Sequence, residues 1–223
     1  MANSFFRKLC CTGALLAAMF CMPAKAQEKA GYSIPFSFSI PGQLSGPSLR
    51  KVFSGIYEIK TGFEWRSPGG FVAGPYLHHS ELKAGNSRSV YNSYYKTVFR
   101  QIGGGVYLGY SSAAVGPSFH AGVNVGWEQG IFSKLPNDTV LPPSIARPDF
   151  LSIQPVVSYR FVQYKNAAVG LKLGYRYMFY RFDPNPFGFS KYLQFDADDV
   201  KAASGFLTFG FVVTHVFGEP YEP

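Results

Sequence analysis

The sequence predicts an all-β protein, a transmembrane antiparallel up-and-down β-barrel of eight strands. Three observations predict it. First, residues 53–66 (FSGIYEIKTGFEWR) alternate with a period of two: Phe53, Gly55, Tyr57, Ile59, Thr61, Phe63 and Trp65 fall on one face, with Ser54, Ile56, Glu58, Lys60, Gly62, Glu64 and Arg66 on the other. That is the period of a β-strand, whose successive side chains point to opposite faces. Second, seven other stretches repeat this contrast of apolar and polar-or-glycine faces. Third, the connections between the eight alternate long and short, as in membrane barrels with short turns on one side and longer loops on the other. An aromatic share of 17% and 24 glycines agree with β-structure.

Residues 1–26 read as a secretory leader. Arg7 and Lys8 precede an apolar run from Gly13 to Met22, and Ala24-Lys25-Ala26 offers a small-x-small cleavage pattern. The run is shorter than the roughly 20 residues of a membrane-spanning helix. A lipoprotein signal around Cys21 is the rival reading, but bulky Met19 and Phe20 stand where such a signal wants small residues. Cleavage before Gln27 removes Cys10, Cys11 and Cys21, and with them disulfide and thiol chemistry. Arg7, Lys8 and Lys25 leave too, so 18 of the 21 basic residues remain against 13 acidic ones, a net +5. This modest surplus implies no nucleic-acid partner and suits an anionic lipid surface. Residues 27–223 suit one domain.

The strands are expected at about 31–40, 52–66, 70–82, 98–110, 115–128, 150–162, 168–180 and 204–217. In the first, Tyr32, Ile34, Phe36, Phe38 and Ile40 alternate with Ser33, Pro35, Ser37 and Ser39, and Pro35 costs a ladder bond. Residues 41–51 read as a loop, and Ser67-Pro68-Gly69-Gly70 as a tight turn into the third strand. In the fourth, Ile102, Val106, Leu108 and Tyr110 oppose Gln101, Gly103, Gly105, Tyr107 and Gly109. In the fifth, Phe119, Ala121, Val123, Val125 and Trp127 oppose Ser118, His120, Gly122, Asn124, Gly126 and Glu128. Residues 129–149 and 181–203 read as long loops. The last three strands place Arg160, Lys172, Arg176 and Thr208 on the polar face.

Volume decides which face is outside. An eight-stranded barrel has an interior barely wide enough for side chains, and the apolar face carries about five large side chains on nearly every strand. A soluble lipocalin-type barrel would have to house them. The polar face, by contrast, mixes glycines with long charged chains, which fits a narrow interior. Trp65, Phe71, Tyr110, Tyr159 and Phe161 at one end, and Trp127, Tyr177 and Phe179 at the other, make two aromatic girdles. Arg100 falls on the lipid side, at a strand end from which it reaches headgroups.

With this pattern the chain resembles the small outer-membrane β-barrel family of Gram-negative bacteria, the eight-stranded proteins related to the OmpA transmembrane domain. The resemblance covers roughly residues 31–217 and includes the last strand, GFVVTHVF, which ends in an aromatic; the tail Gly218–Pro223 departs from the family pattern. It implies an outer-membrane location, outer-membrane lipids, lipopolysaccharide and the barrel assembly machinery as partners, and a porin-like fold that by itself says little about activity.

Buried charges must be paired or watered. Glu58, Lys60, Glu64, Arg66, Glu128, Arg160, Lys172 and Arg176 are therefore expected to form an ion network across the lumen: Glu58, Glu128 and Arg176 towards the loop side, Glu64, Arg66 and Arg160 towards the turns, Lys60 and Lys172 between. The function this supports is non-enzymatic, in envelope integrity or in binding an envelope partner through external loops, with no cofactor. The alternatives are a narrow pore for ions or small solutes, and a lipid-modifying hydrolase. His78, Ser80 and Glu81 carry the hydrolase alternative, resembling the His-x-Ser pair of lipid A deacylases, although their strand phase points His78 and Ser80 inward. Asp196, Asp198 and Asp199 could hold a divalent cation but lack a calcium-loop spacing. His120 reads as a hydrogen-bonded lumen residue; Tyr91, Tyr94 and Tyr95 read as girdle or adhesion residues.

Overall fold

In a computed structural model, residues 30–84, 97–113, 117–133, 141–164, 166–191 and 193–217 are described. The leader segment, Tyr91, Tyr94, Tyr95 and the tail 218–223 lie outside them. The strands are β1 (Gly31–Ser45), β2 (Phe53–Gly62), β3 (Glu64–Arg66), β4 (Phe71–Ala84), β5 (Val98–Ser111), β6 (Ser118–Ser133), β7 (Asp149–Tyr164), β8 (Ala167–Met178) and β9 (Ser204–Phe217). Among the described residues, three short helices are α1 (Pro47–Val52), α2 (Pro143–Ala146) and α3 (Ala197–Lys201).

β2 and β3 are one barrel strand interrupted at Phe63. The Phe63 N–H donates to the Pro75 carbonyl at 3.0 Å, but Pro75 has no N–H to return, so the ladder lapses for one residue. Every neighbour pairs antiparallel in chain order, and β1 pairs with β9 from Tyr32↔Phe217 to Ser45↔Gly205. The sheet is therefore a closed eight-stranded up-and-down barrel with no free edge. We call its two ends the turn end, where the short connections join β3 to β4, β5 to β6 and β7 to β8, and the loop end, with the longer connections.

Outward residues are mostly apolar along the wall; Leu77 is 67% and Trp127 61% exposed, while Ser37, Ser39, Asn124, Gln154 and Thr208 face in and are buried. Such a surface is far larger than the apolar patch a soluble monomer tolerates.

Four boundaries differ from the sequence reading. Residues 41–51 are not a loop: β1 runs on to Ser45 and α1 follows. Gly46 joins them at φ 79°, where a Cβ would press within 2.8 Å of the Ser204 Cα, so glycine is required. β6 continues to Ser133, five residues past its expected end. Residues 181–203 contain two 3-10 turns and α3. Finally, β2 carries a bulge: Gly55 pairs with Leu82 and Tyr57 with Glu81, so Ile56 is the extra residue. One extra residue reverses the alternation beyond it. Phe53, expected outside, is buried inside, and Ile56 is 41% exposed.

Candidate functional site

Inside the wall all eight charged residues expected there face the lumen. Glu58, Lys60, Arg66, Glu128, Arg160, Lys172 and Arg176 are buried, and Glu64 is partly so. Strand phase places them: Glu58 and Lys60 on β2, Lys172 and Arg176 on β8 are each two or four residues apart and so share the inner face.

The structure joins five of them in one group. Glu58 Oε2 accepts from Arg176 Nη1 at 3.2 Å; Glu58 Oε1 accepts from Gln154 Nε2 at 3.2 Å and faces Lys172 Nζ at 3.7 Å. Arg176 Nη2 lies 3.4 Å from Glu128 Oε2, and Ser152 donates to Glu128 Oε1 at 2.5 Å. Lys60 donates to Gln154 Oε1 and sits over the Tyr76 ring, 4.5 Å from its centre. His78 is at the centre. Arg176 Nη1 lies 2.6 Å from His78 Nε2. A guanidinium only donates, so that nitrogen accepts and the neutral ring carries its proton on Nδ1, facing Glu128 Oε1 at 3.5 Å.

A second group lies nearer the turn end. Glu64 accepts from Ser33 at 3.3 Å and stands 3.9 Å from Arg160 Nη2, and Arg66 interacts electrostatically with Glu64. His120 bonds Ser118 at 3.0 Å and Ser111 at 3.2 Å. The Tyr107 ring lies along the inner wall here and needs bare backbone beside it: a Cβ on Gly122 would lie 2.6 Å from its Cε2. Between the groups is a cavity of about 60 Å³, lined among others by Lys60, Lys172, Glu64, Arg160, Tyr107 and His120.

The loop end is lined differently. Past the ions the inner face turns aromatic: Phe53 on β2, Leu82 on β4, Phe99 on β5, Phe132 on β6, Phe150 on β7 and Phe206 on β9 are buried together. Phe182, Phe187 and Phe189, from the connection after β8, complete this lid. Phe99 and Phe132 stack at 4.2 Å, Phe187 lies 4.5 Å from Phe132, and Phe182 meets Phe53 edge-on at 5.6 Å. Met178 is the border: its sulfur contacts Arg176 Nη2 at 3.2 Å and Gln101 Nε2 at 3.4 Å. Sequence reasoning missed the lid. The strand-borne part was available as phase, since Phe99 is two residues before inward Gln101 and Phe206 two before inward Thr208. The loop-borne phenylalanines carry no periodic signal.

No family model matches the sequence, and no curated protein matches it. Among solved structures the chain is similar to a major outer membrane protein from Thermus thermophilus, with a TM-score of 0.51 and 11% identity over 85% of this chain and 100% of that one. The chain has the fold of the small outer-membrane β-barrels. Neisserial surface protein A aligns at TM-score 0.43 and 12% identity, over 85% of this chain and all of that one. Ail of Yersinia pestis, in complex with the heparin analogue sucrose octasulfate, aligns at 0.39 and 11%, over 83% of this chain and 99% of that one.

Within this barrel the His-x-Ser pair sits in the lumen. The Ser80 hydroxyl donates to Gln101 Oε1 at 2.8 Å and receives Arg176 Nη1 at 3.4 Å. Glu81 faces the opposite way and pairs with outward Arg100 at 3.1 Å. Of the three loop aspartates, Asp196 and Asp199 form the capping box of α3. Asp199 also takes Lys51 Nζ at 2.6 Å, tying α3 to α1 across the lid. Its carboxyl is held below the usual aspartate range, first by that hydrogen bond.

Proposed function

We propose that the protein is an integral outer-membrane barrel with a closed lumen, serving envelope integrity or partner binding through its loop end rather than transport or catalysis. One observation carries this reading: two unlike fillings, a paired ion network and an aromatic lid, occupy successive levels of the same interior. An interior built for passage has no use for a dry aromatic cluster across its mouth. The outward apolar wall and its aromatic rims suit a bilayer. Outer-membrane lipids, lipopolysaccharide and, during insertion, the barrel assembly machinery are the partners this implies, together with an envelope protein on the loop face. The inward position of His78 and Ser80 argues against acyl-chain hydrolysis, because a lipid tail reaches only the outer wall.

Purified protein in planar bilayers is expected to give no stable conductance. Steady large openings overturn the closed lumen, and loss of lipid A acyl chains in expressing cells that disappears in Ser80→Ala overturns the non-enzymatic reading.

A further inference from the structure

We propose that the cavity between Lys60, Lys172 and Arg160 is a binding site for a small inorganic anion of the halide class. The inference rests on charge, volume and an unmet donor, and it stands whether or not the lumen conducts.

Charge comes first. Among the described residues the inward-facing cations of the wall are Lys60, Arg66, Arg160, Lys172 and Arg176, and the carboxylates are Glu58, Glu64 and Glu128. Five against three leaves a surplus of two positive charges, and protonation of His78 or His120 could only enlarge it. Glu58 already serves Arg176 and Lys172 at once, and Glu128 is engaged by Arg176 and Ser152. Lys60 shares Glu58 and Glu128 with these cations only electrostatically, and its own hydrogen bond goes to the neutral Gln154. In a narrow, low-dielectric interior an uncompensated charge is costly.

The surplus is not spread evenly. Lys60, Lys172 and Arg160 all line the one cavity, and among the described residues Glu64 is the only carboxylate that does. Arg160 is buried, its Nε has no hydrogen-bond partner among the described residues, and its nearest carboxylate contact is the long 3.9 Å approach to Glu64. Asn124 and Ser158 add neutral polar groups to the lining, while Tyr76 and Tyr107 wall it with rings. A volume of about 60 Å³, where one water needs roughly 10–15 Å³ on the same measure, holds a small anion together with a few waters. A halide here would neutralise half the surplus, and chloride or bromide gives up less hydration than phosphate or sulfate on entering a partly aromatic pocket.

The test uses the full-length barrel in detergent. Crystals grown with bromide as the sole halide are expected to show an anomalous bromine peak in this cavity. At constant ionic strength, with gluconate (too large to enter) as the balancing anion, the unfolding midpoint should rise by roughly 3 °C or more for each tenfold increase in bromide above its dissociation constant. Lys60→Met should abolish this dependence while lowering the surplus to one. Should that variant fail to assemble, the anomalous map of the unaltered protein decides alone. A cavity without a bromine peak, or a midpoint indifferent to bromide, overturns the site and assigns the space to water beside an uncharged lysine.

Discussion

The two halves of the lumen are lined by opposite chemistry. Towards the loop end, Phe53, Phe99, Phe132, Phe182 and Phe187 exclude water by packing ring on ring. Below them, Glu58, His78, Glu128 and Arg176 hold one another by ion pairs and hydrogen bonds. The aromatic half gains from every Å² it removes from water and tolerates imperfect geometry. The ionic half gains only if each partner is present, because removal of one leaves the others buried and unmatched. The first is graded, the second close to all-or-none.

That contrast is best broken at Glu58. Glu58→Ala withdraws the carboxylate shared by Arg176 and Lys172, and should cost about 3–5 kcal/mol, read as a lower urea midpoint in detergent and loss of the heat-dependent gel mobility expected of a folded barrel. A cost under about 1 kcal/mol would mean that the network is well hydrated and works like surface pairs.

Phe99→Ala should cost less, about 3 kcal/mol, because neighbouring rings can settle into part of the space while the wall stays intact. It sharpens the comparison through water: deuterium exchange at the backbone amides of β5 and β6 should accelerate at the loop end and stay slow around Glu128. Uniform acceleration along both strands would show that the two fillings do not act separately.

The smallest effect lies at the rim. Asp199, tied to Lys51, has its carboxyl lowered in the folded state, so the tie contributes above the unfolded aspartate value of about 3.9 and is lost as pH falls through the lower folded value. Proteolysis within 193–203 should quicken only under such acid conditions, and Lys51→Ala should remove the pH step. A step near neutral pH would point to a different group.

How legible each half was follows from its periodicity. Glu58, Lys60, Glu64, Arg66, Glu128, Arg160, Lys172 and Arg176 stand in strict alternation with apolar residues, so their inward placement could be read without coordinates. Phe53 is misplaced this way, because the bulge at Ile56 reverses the phase, and its traces in the sequence, Gly55 and an isoleucine on the polar face, fit an unbroken strand as well. The lid escaped for a related reason: Phe182, Phe187 and Phe189 lie where the chain has no repeat, and aromatics in a long connection look alike whether they face lipid, water or the interior.

By itself, then, the sequence determined the strand number, the up-and-down order and which side chains share a face, since a period of two converts position directly into direction. Tertiary structure alone decided that Glu58 rather than Glu64 is the shared carboxylate, that His78 lies between Arg176 and Glu128, and that the loop after β8 packs its phenylalanines onto the inward rings of the strands. These depend on how far one strand is staggered against its neighbours once the sheet closes, a distance set by all eight strands together.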